Sequence, residues 1–251
     1  MKNYIKIVKD IVGDFYAYSK GIQERIEYYN YETIWCNIFH DTITGYDWYD
    51  LKNLSLGKMA IGYNFAYVLV RVLEEFQPSS VLELGMGQSS RIVNSYFKNR
   101  FNEKEKYTYD LVEQDQDWIG FFMEKNNLTC PNVYQCDVEC DYKDSNLFKY
   151  KDFSRVFEDE KKIYQLILID GPKGSDTTLS RVDVLENIPQ ILAESFVMIF
   201  DDTQRRGECN MIEEVKNKLE KNNISYAIGK YKGISEVSVV VSKNNRFLAS
   251  L

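Results

Sequence analysis

Apolar positions along the chain fall into two periods, and the change between them divides the sequence. Near the N-terminus Ile5, Val8, Ile11, Val12 and Phe15 recur at helical spacing, which predicts an amphipathic helix. Up to Leu56 aromatic residues (Tyr28, Tyr29, Tyr31, Trp35, Phe39, Tyr46, Trp48, Tyr49) stand among polar ones without strand alternation, so residues 1–56 are expected to form a helical cap. From Ala60 to Phe76 the line Ile61, Phe65, Val68, Leu69, Val72, Phe76 predicts another helix. It should stop before Gln77-Pro78, because proline disfavours helical geometry in the residue ahead of it.

Beyond Pro78 short apolar runs alternate with helical stretches. SSVLELG predicts a buried strand, then a glycine turn and a helix through Phe97, and YTYDLVEQD a second strand before a helix from Asp117 to Lys125. NVYQCDVE is expected as a third strand, and KIYQLILIDG as a fourth, covered on both faces. A helix near Arg181 to Leu192, a strand SFVMIFDD, a helix Met211 to Lys221 and two strands, ISYAIGKY and SEVSVVVS, complete the order. Such alternation implies an α/β fold with a doubly wound, mostly parallel sheet of seven strands spanning residues 57–251. The last two strands flank the turn-prone Lys232-Gly233 and should form an antiparallel hairpin. An ordinary nicotinamide-binding sheet would more often continue in parallel.

Composition narrows the partners more than the fold. With 251 residues, one main core is the default, and no run approaches the roughly 20 apolar residues of a spanning helix. Lys6, Lys9 and Asp10 interrupt any signal-peptide core, and five scattered cysteines suit a reducing compartment, so a cytoplasmic protein is expected. Cys136 and Cys140 lack the second ligand pair of a zinc site. A net charge of −7 opposes the basic surface that nucleic acid requires, and points to a small or carbohydrate partner.

The candidate chemistry sits at strand ends. In VLELGMGQSS, Gly85 and Gly87 follow a strand and open a helix, where missing side chains let a ligand approach the backbone. Ser90 occupies the place of the third glycine of the dinucleotide fingerprint, a loss that a pyrophosphate would feel more than a methionyl sulfonium. Glu113, ending the second strand, can accept both ribose hydroxyls of a nucleoside. Asp137 follows the third strand, where a turn role and an adenine contact stay equally open. The fourth strand delivers Asp170 and the fifth Asp201 and Asp202 to one edge. Three such carboxylates repel one another unless protonated, paired with a base or bridged by a cation such as Mg²⁺, Mn²⁺ or Ca²⁺. Lys173 is a candidate general base, with a surface lysine as the alternative. Arg205 and Arg206 could grip an anionic group or pair with the acids. His40, alone of its type, is expected to be structural.

Taken together, GKMAIGYNFAYVLVRVL, VLELGMGQSS, LVEQD, ILIDGPKG and FDDTQRRGE resemble class I S-adenosylmethionine-dependent methyltransferases, most of all bacterial members associated with surface polysaccharide synthesis. The turn Asp170-Gly171-Pro172-Lys173-Gly174 is also distantly similar to that of plant glucuronoxylan O-methyltransferases. The resemblance implies a Rossmann-like fold and an S-adenosylmethionine site made by Glu83, Gly85, Gly87, Gln88, Ser89, Ser90, Glu113 and Asp137. Glu83 would receive the methionyl ammonium and Asp137 would contact adenine. It further implies O-methylation of a sugar or polysaccharide hydroxyl by Asp170, Lys173 and Asp202, with a cation on Asp170, Asp201 and Asp202. Competing expectations are a nicotinamide-dependent sugar oxidoreductase or epimerase and a noncatalytic cofactor-binding module. The former would want a Tyr-x-x-x-Lys on a helix after the cofactor loop, whereas the helical spacing Tyr16 to Lys20 precedes it. A homo-oligomer stays open.

Overall fold

A computed structural model describes residues 2–49, 54–57, 60–101, 106–141, 147–157, 161–172, 174 and 178–251. The chain opens with one 42-residue helix, α1 (Lys2–Ile43), longer than the apolar spacing alone delimits. The side chains of Ile5, Val8, Ile11 and Val12 lie outside the described ones, and Phe15 is exposed. Next comes α2 (Tyr63–Phe76), ending where Pro78 approaches, with Gln77 turned to a left-handed φ of 50°.

The alternating half yields β1 (Ser80–Leu84), α3 (Gln88–Arg100), β2 (Thr108–Glu113), α4 (Gln116–Asn126) and β3 (Asn132–Gln135). A hairpin of β4 (Val138–Asp141) and β5 (Leu147–Tyr150) intervenes before β6 (Tyr164–Ile169), α5 (Asp183–Asn187), β7 (Leu192–Phe200), α6 (Arg206–Lys221), β8 (Tyr226–Lys232) and β9 (Glu236–Ser242). Seven strands form one sheet in the order β3-β2-β1-β6-β7-β9-β8. The first five run parallel, and β9 lies antiparallel to both β7 and β8, so the expected terminal hairpin is present.

Two core clusters cover the two faces of this sheet. Alternation along β1 sends Val81 to one cluster, with α2 and α3, and Leu82 and Leu84 to the other, with α6. Phe39 and Trp48, from the aromatic segment, are both 1% exposed and join the α2 side. Trp48 donates its indole N–H to Glu74 at 2.7 Å, and Arg100 binds the same carboxylate at 2.6 Å.

Two expectations need correction. NVYQCDVE is two strands: only Asn132–Gln135 pairs with β2, after which Cys136 is buried and Val138–Asp141 leaves to pair with β5. The helix expected near Arg181 to Leu192 spans only Asp183–Asn187, since Pro189 denies helical geometry to Ile188, and β7 already starts at Leu192. Among the described residues, no helix is long and apolar enough to cross a membrane.

Candidate functional site

Strand order reverses between β1 and β6, the place where open α/β sheets bind ligands at their C-terminal ends. A cavity of about 710 Å³ opens there. Gly85 and Met86 after β1, Glu113 at the end of β2, Asp170 and Gly171 after β6, and Asp201 and Asp202 after β7 all line it.

Two backbones meet at its floor. Gly85 adopts φ 95°, and a Cβ there would stand 3.1 Å from the Gly171 nitrogen. A Cβ on Gly171 would lie 2.9 Å from the Gly85 Cα and overlap the Tyr150 hydroxyl. Glycine at both positions lets the turns after β1 and β6 touch. Tyr150 is 2% exposed, and its hydroxyl has no hydrogen-bond partner.

Glu113 holds one end of the cavity together. Its carboxylate accepts the backbone N–H groups of Met86 at 2.9 Å, Gln114 at 2.8 Å and Asp115 at 3.1 Å. A carboxylate offers about four acceptor positions, so one remains for a ligand hydroxyl. The glycine turn is clasped from outside as well: Trp118 donates its indole N–H to the Met86 carbonyl at 3.0 Å.

The other residues of VLELGMGQSS lie around the cavity rather than in its wall. Glu83 is 1% exposed and accepts from Ser89 Oγ at 2.5 Å and from the Tyr109 hydroxyl. Burial pushes its pKa up to about 7, against the lowering effect of those donors. Ser90 Oγ accepts the Gly87 N–H at 3.0 Å, which caps α3, and Gln88 Oε1 accepts from Ser55 N at 3.3 Å and from Arg91 at 3.0 Å. Asp137 is exposed, accepts from Gln135 at 2.8 Å and is not among the lining residues.

At the opposite end the carboxylates converge on an arginine that the sequence pattern does not single out. Arg181 is 4% exposed, with a left-handed φ of 54°. Its Nη2 lies 3.1 Å from Asp170 Oδ1 and 3.4 Å from Asp202 Oδ2, while Nη1 donates to the carbonyls of Asp201 at 3.1 Å and Ile169 at 3.3 Å. Glu208, 3% exposed, stands 4.0 Å from Arg181 Nε and has no hydrogen bond to either carboxylate oxygen. Arg205 binds Asp202 at 2.7 Å, whereas Arg206 is exposed. Asp201 Oδ1 accepts from Ser235 Oγ and from Asp202 N, both at 2.8 Å.

Four carboxylates thus face two guanidinium groups. Desolvation raises the pKa of Asp170, opposed by Arg181 and reinforced by Asp201 and Asp202, and it raises Asp201 and Glu208 likewise. One oxygen from each of Asp170, Asp201 and Asp202 lies within 4.8 Å of the others, a spacing and ligand type that fit a divalent cation. Lys173 lies outside the described residues. His40 is exposed and meets Phe39 and Tyr63 edge to face and tilted, outside the cavity lining.

Five parallel strands closed by an antiparallel pair, with the cavity at the β1/β6 reversal, define the Rossmann-like fold of class I methyltransferases. Among solved structures the chain is similar to the precorrin-6y C5,15-methyltransferase of Geobacter metallireducens GS-15, at 11% identity over 79% of this chain and 100% of that one, with a TM-score of 0.52. The O-methyltransferase NovP aligns at 10% identity over 70% of this chain and 79% of that one, with a TM-score of 0.49. No family model matches the chain, and neither does any curated protein.

Proposed function

We propose that this protein is an S-adenosylmethionine-dependent O-methyltransferase whose acceptor is a hydroxyl of a sugar or polysaccharide. The observation that carries the proposal is the two-ended cavity: a glycine turn and a nucleoside-suited carboxylate at one end, and a carboxylate–arginine cluster at the other. Glu113 and the backbone at Gly85 and Met86 would hold the adenosyl group, with one ribose hydroxyl toward the acceptor position that Glu113 keeps free. The sulfonium methyl would then point toward Asp170 and Asp202.

In the reaction the acceptor oxygen attacks the methyl carbon, the carbon–sulfur bond breaks, and neutral S-adenosylhomocysteine leaves. The hydroxyl proton passes to a base. Asp170, at the cavity floor with its pKa raised toward the working range, suits that role, and Lys173 is the second candidate. Asp202, fixed by Arg205 and Arg181, would orient the acceptor through a second hydrogen bond. A divalent cation on Asp170, Asp201 and Asp202 would supply Lewis-acid polarisation of the acceptor oxygen.

Calorimetry with S-adenosylmethionine, S-adenosylhomocysteine and NAD tests the cofactor assignment. Binding of the two sulfur compounds and not NAD is expected, and tight NAD binding alone would overturn it. Transfer of labelled methyl to a panel of glycans, compared with proteins and small phenols, tests the acceptor class. Full activity after exhaustive chelation would remove the cation from the proposal.

A further inference from the structure

α1 runs far beyond the part of it that is packed. Its C-terminal third is fixed by Trp35, Ile38, Phe39 and Ile43 against the core, and Trp35 donates its indole N–H to the Lys232 carbonyl at 2.8 Å. From Phe15 to Asn30, by contrast, every residue whose side chain is described is exposed, apart from the half-buried Gly21. Within this stretch Phe15, Tyr18, Ile22, Ile26 and Tyr29 are 72%, 69%, 42%, 54% and 67% exposed.

These five residues are spaced by three or four and therefore form one line along the helix. At about 100° per residue, that line is turned by about a third of a circle from the one through Trp35 and Phe39, so docking of α1 on α2 leaves it uncovered. The far side carries polar pairs beside the exposed Tyr16: Gln23 donates to Glu27 at 3.2 Å, and Lys20 pairs with Glu24 at 3.9 Å. Helices in proteins draw most of their stability from burying such an apolar face.

We propose that this stripe is a self-association surface, on which the same stripe of a second copy packs across a two-fold axis. An anionic lipid surface is the less suitable occupant, because helices that lie on membranes carry Lys and Arg on their polar face. Within Phe15–Asn30 Lys20 and Arg25 are matched by Glu24 and Glu27, so the polar face has no basic excess, and the whole chain carries −7. A second copy offers an identical, self-complementary apolar line. With aromatic side chains of roughly 150–250 Å² each, the exposed parts of the five residues amount to about 600 Å² per copy. A two-fold pair would bury about 1,200 Å², the lower bound for a specific interface, before any flanking contact is added.

Sedimentation equilibrium on the full chain at tens of micromolar is the test. The expected mass is twice the 29.5 kDa of one chain. Phe15→Ser combined with Ile22→Asp should give the single-chain mass with cooperative thermal unfolding retained, and Ile22→Lys should act in the same direction. Gln23→Asp, on the polar side, should leave the doubled mass unchanged. A wild-type protein of single-chain mass would overturn the proposal. So would a dimer that survives the double substitution, or a monomer that floats with lipid vesicles through these residues.

Discussion

Glu113 ties the turn after β1 to the end of β2 through three backbone N–H groups, so its removal should be felt in both binding and structure. Glu113→Ala is expected to weaken S-adenosylmethionine binding by about 1.5–3 kcal/mol, the range for hydrogen bonds to a charged group, as read by calorimetry. Asp170→Ala and Asp202→Ala should lower turnover more than cofactor affinity, because both lie at the end of the cavity proposed for the acceptor; equal losses in the two would move them to the cofactor. Arg181→Met is a different kind of change. It strands buried carboxylates without their counter-charge, and should cost about 3–5 kcal/mol of stability in denaturant unfolding. Asp170, Asp201 and Asp202 were legible in the sequence because each closes an apolar run that ends in acid. Arg181 was not, since it sits in a loop before a five-residue helix, and its importance comes from burial among residues distant in sequence. Glu83, Ser89 and Ser90 illustrate another limit: motif spacing puts them near a turn, but only side-chain packing reveals that they bond to one another or cap α3.

The elements that could be read from the chain are those with a strong local signal. β1, β2, β6, β7 and the closing pair each carry a run of apolar residues, and α2 a clean helical stripe. β4 and β5 are four residues each and gain their partners only from one another, so no window of sequence marks them. The contact between the β1 and β6 turns is likewise a property of two elements together. Gly85→Ala would force a left-handed residue and press a methyl toward Gly171. The left-handed conformation alone costs about 1–2 kcal/mol for a non-glycine residue. A fall in thermal midpoint and loss of cofactor binding are expected together; unaltered midpoints would mean that the two turns can move apart.

Over the whole molecule, buried carboxyl groups set the response to pH. Burial raises Glu83 to about 7, and it raises Asp183 to about 7 against the lowering effect of the Tyr150 N–H. Unfolded, both titrate near about 4. Between these values the folded state binds more protons than the unfolded one, so stability is greatest at the acid end and declines as pH climbs through 7. Thermal midpoints of the ligand-free protein should therefore fall from pH 5 to pH 8, and Glu83→Gln should flatten the decline. An unchanged slope in that variant would place the titrating group elsewhere.

The Trp118 indole, bonded to the Met86 carbonyl and 39% exposed, gives the protein an optical gauge of the proposed cofactor site. Trp48, by contrast, is 1% exposed. A ligand seated on the Gly85–Met86 backbone changes the polarity and solvent access around Trp118 first. Emission excited at the tryptophan edge should thus shift on titration with S-adenosylhomocysteine, and Trp118→Phe should silence that shift while leaving the emission of Trp35 and Trp48 in place.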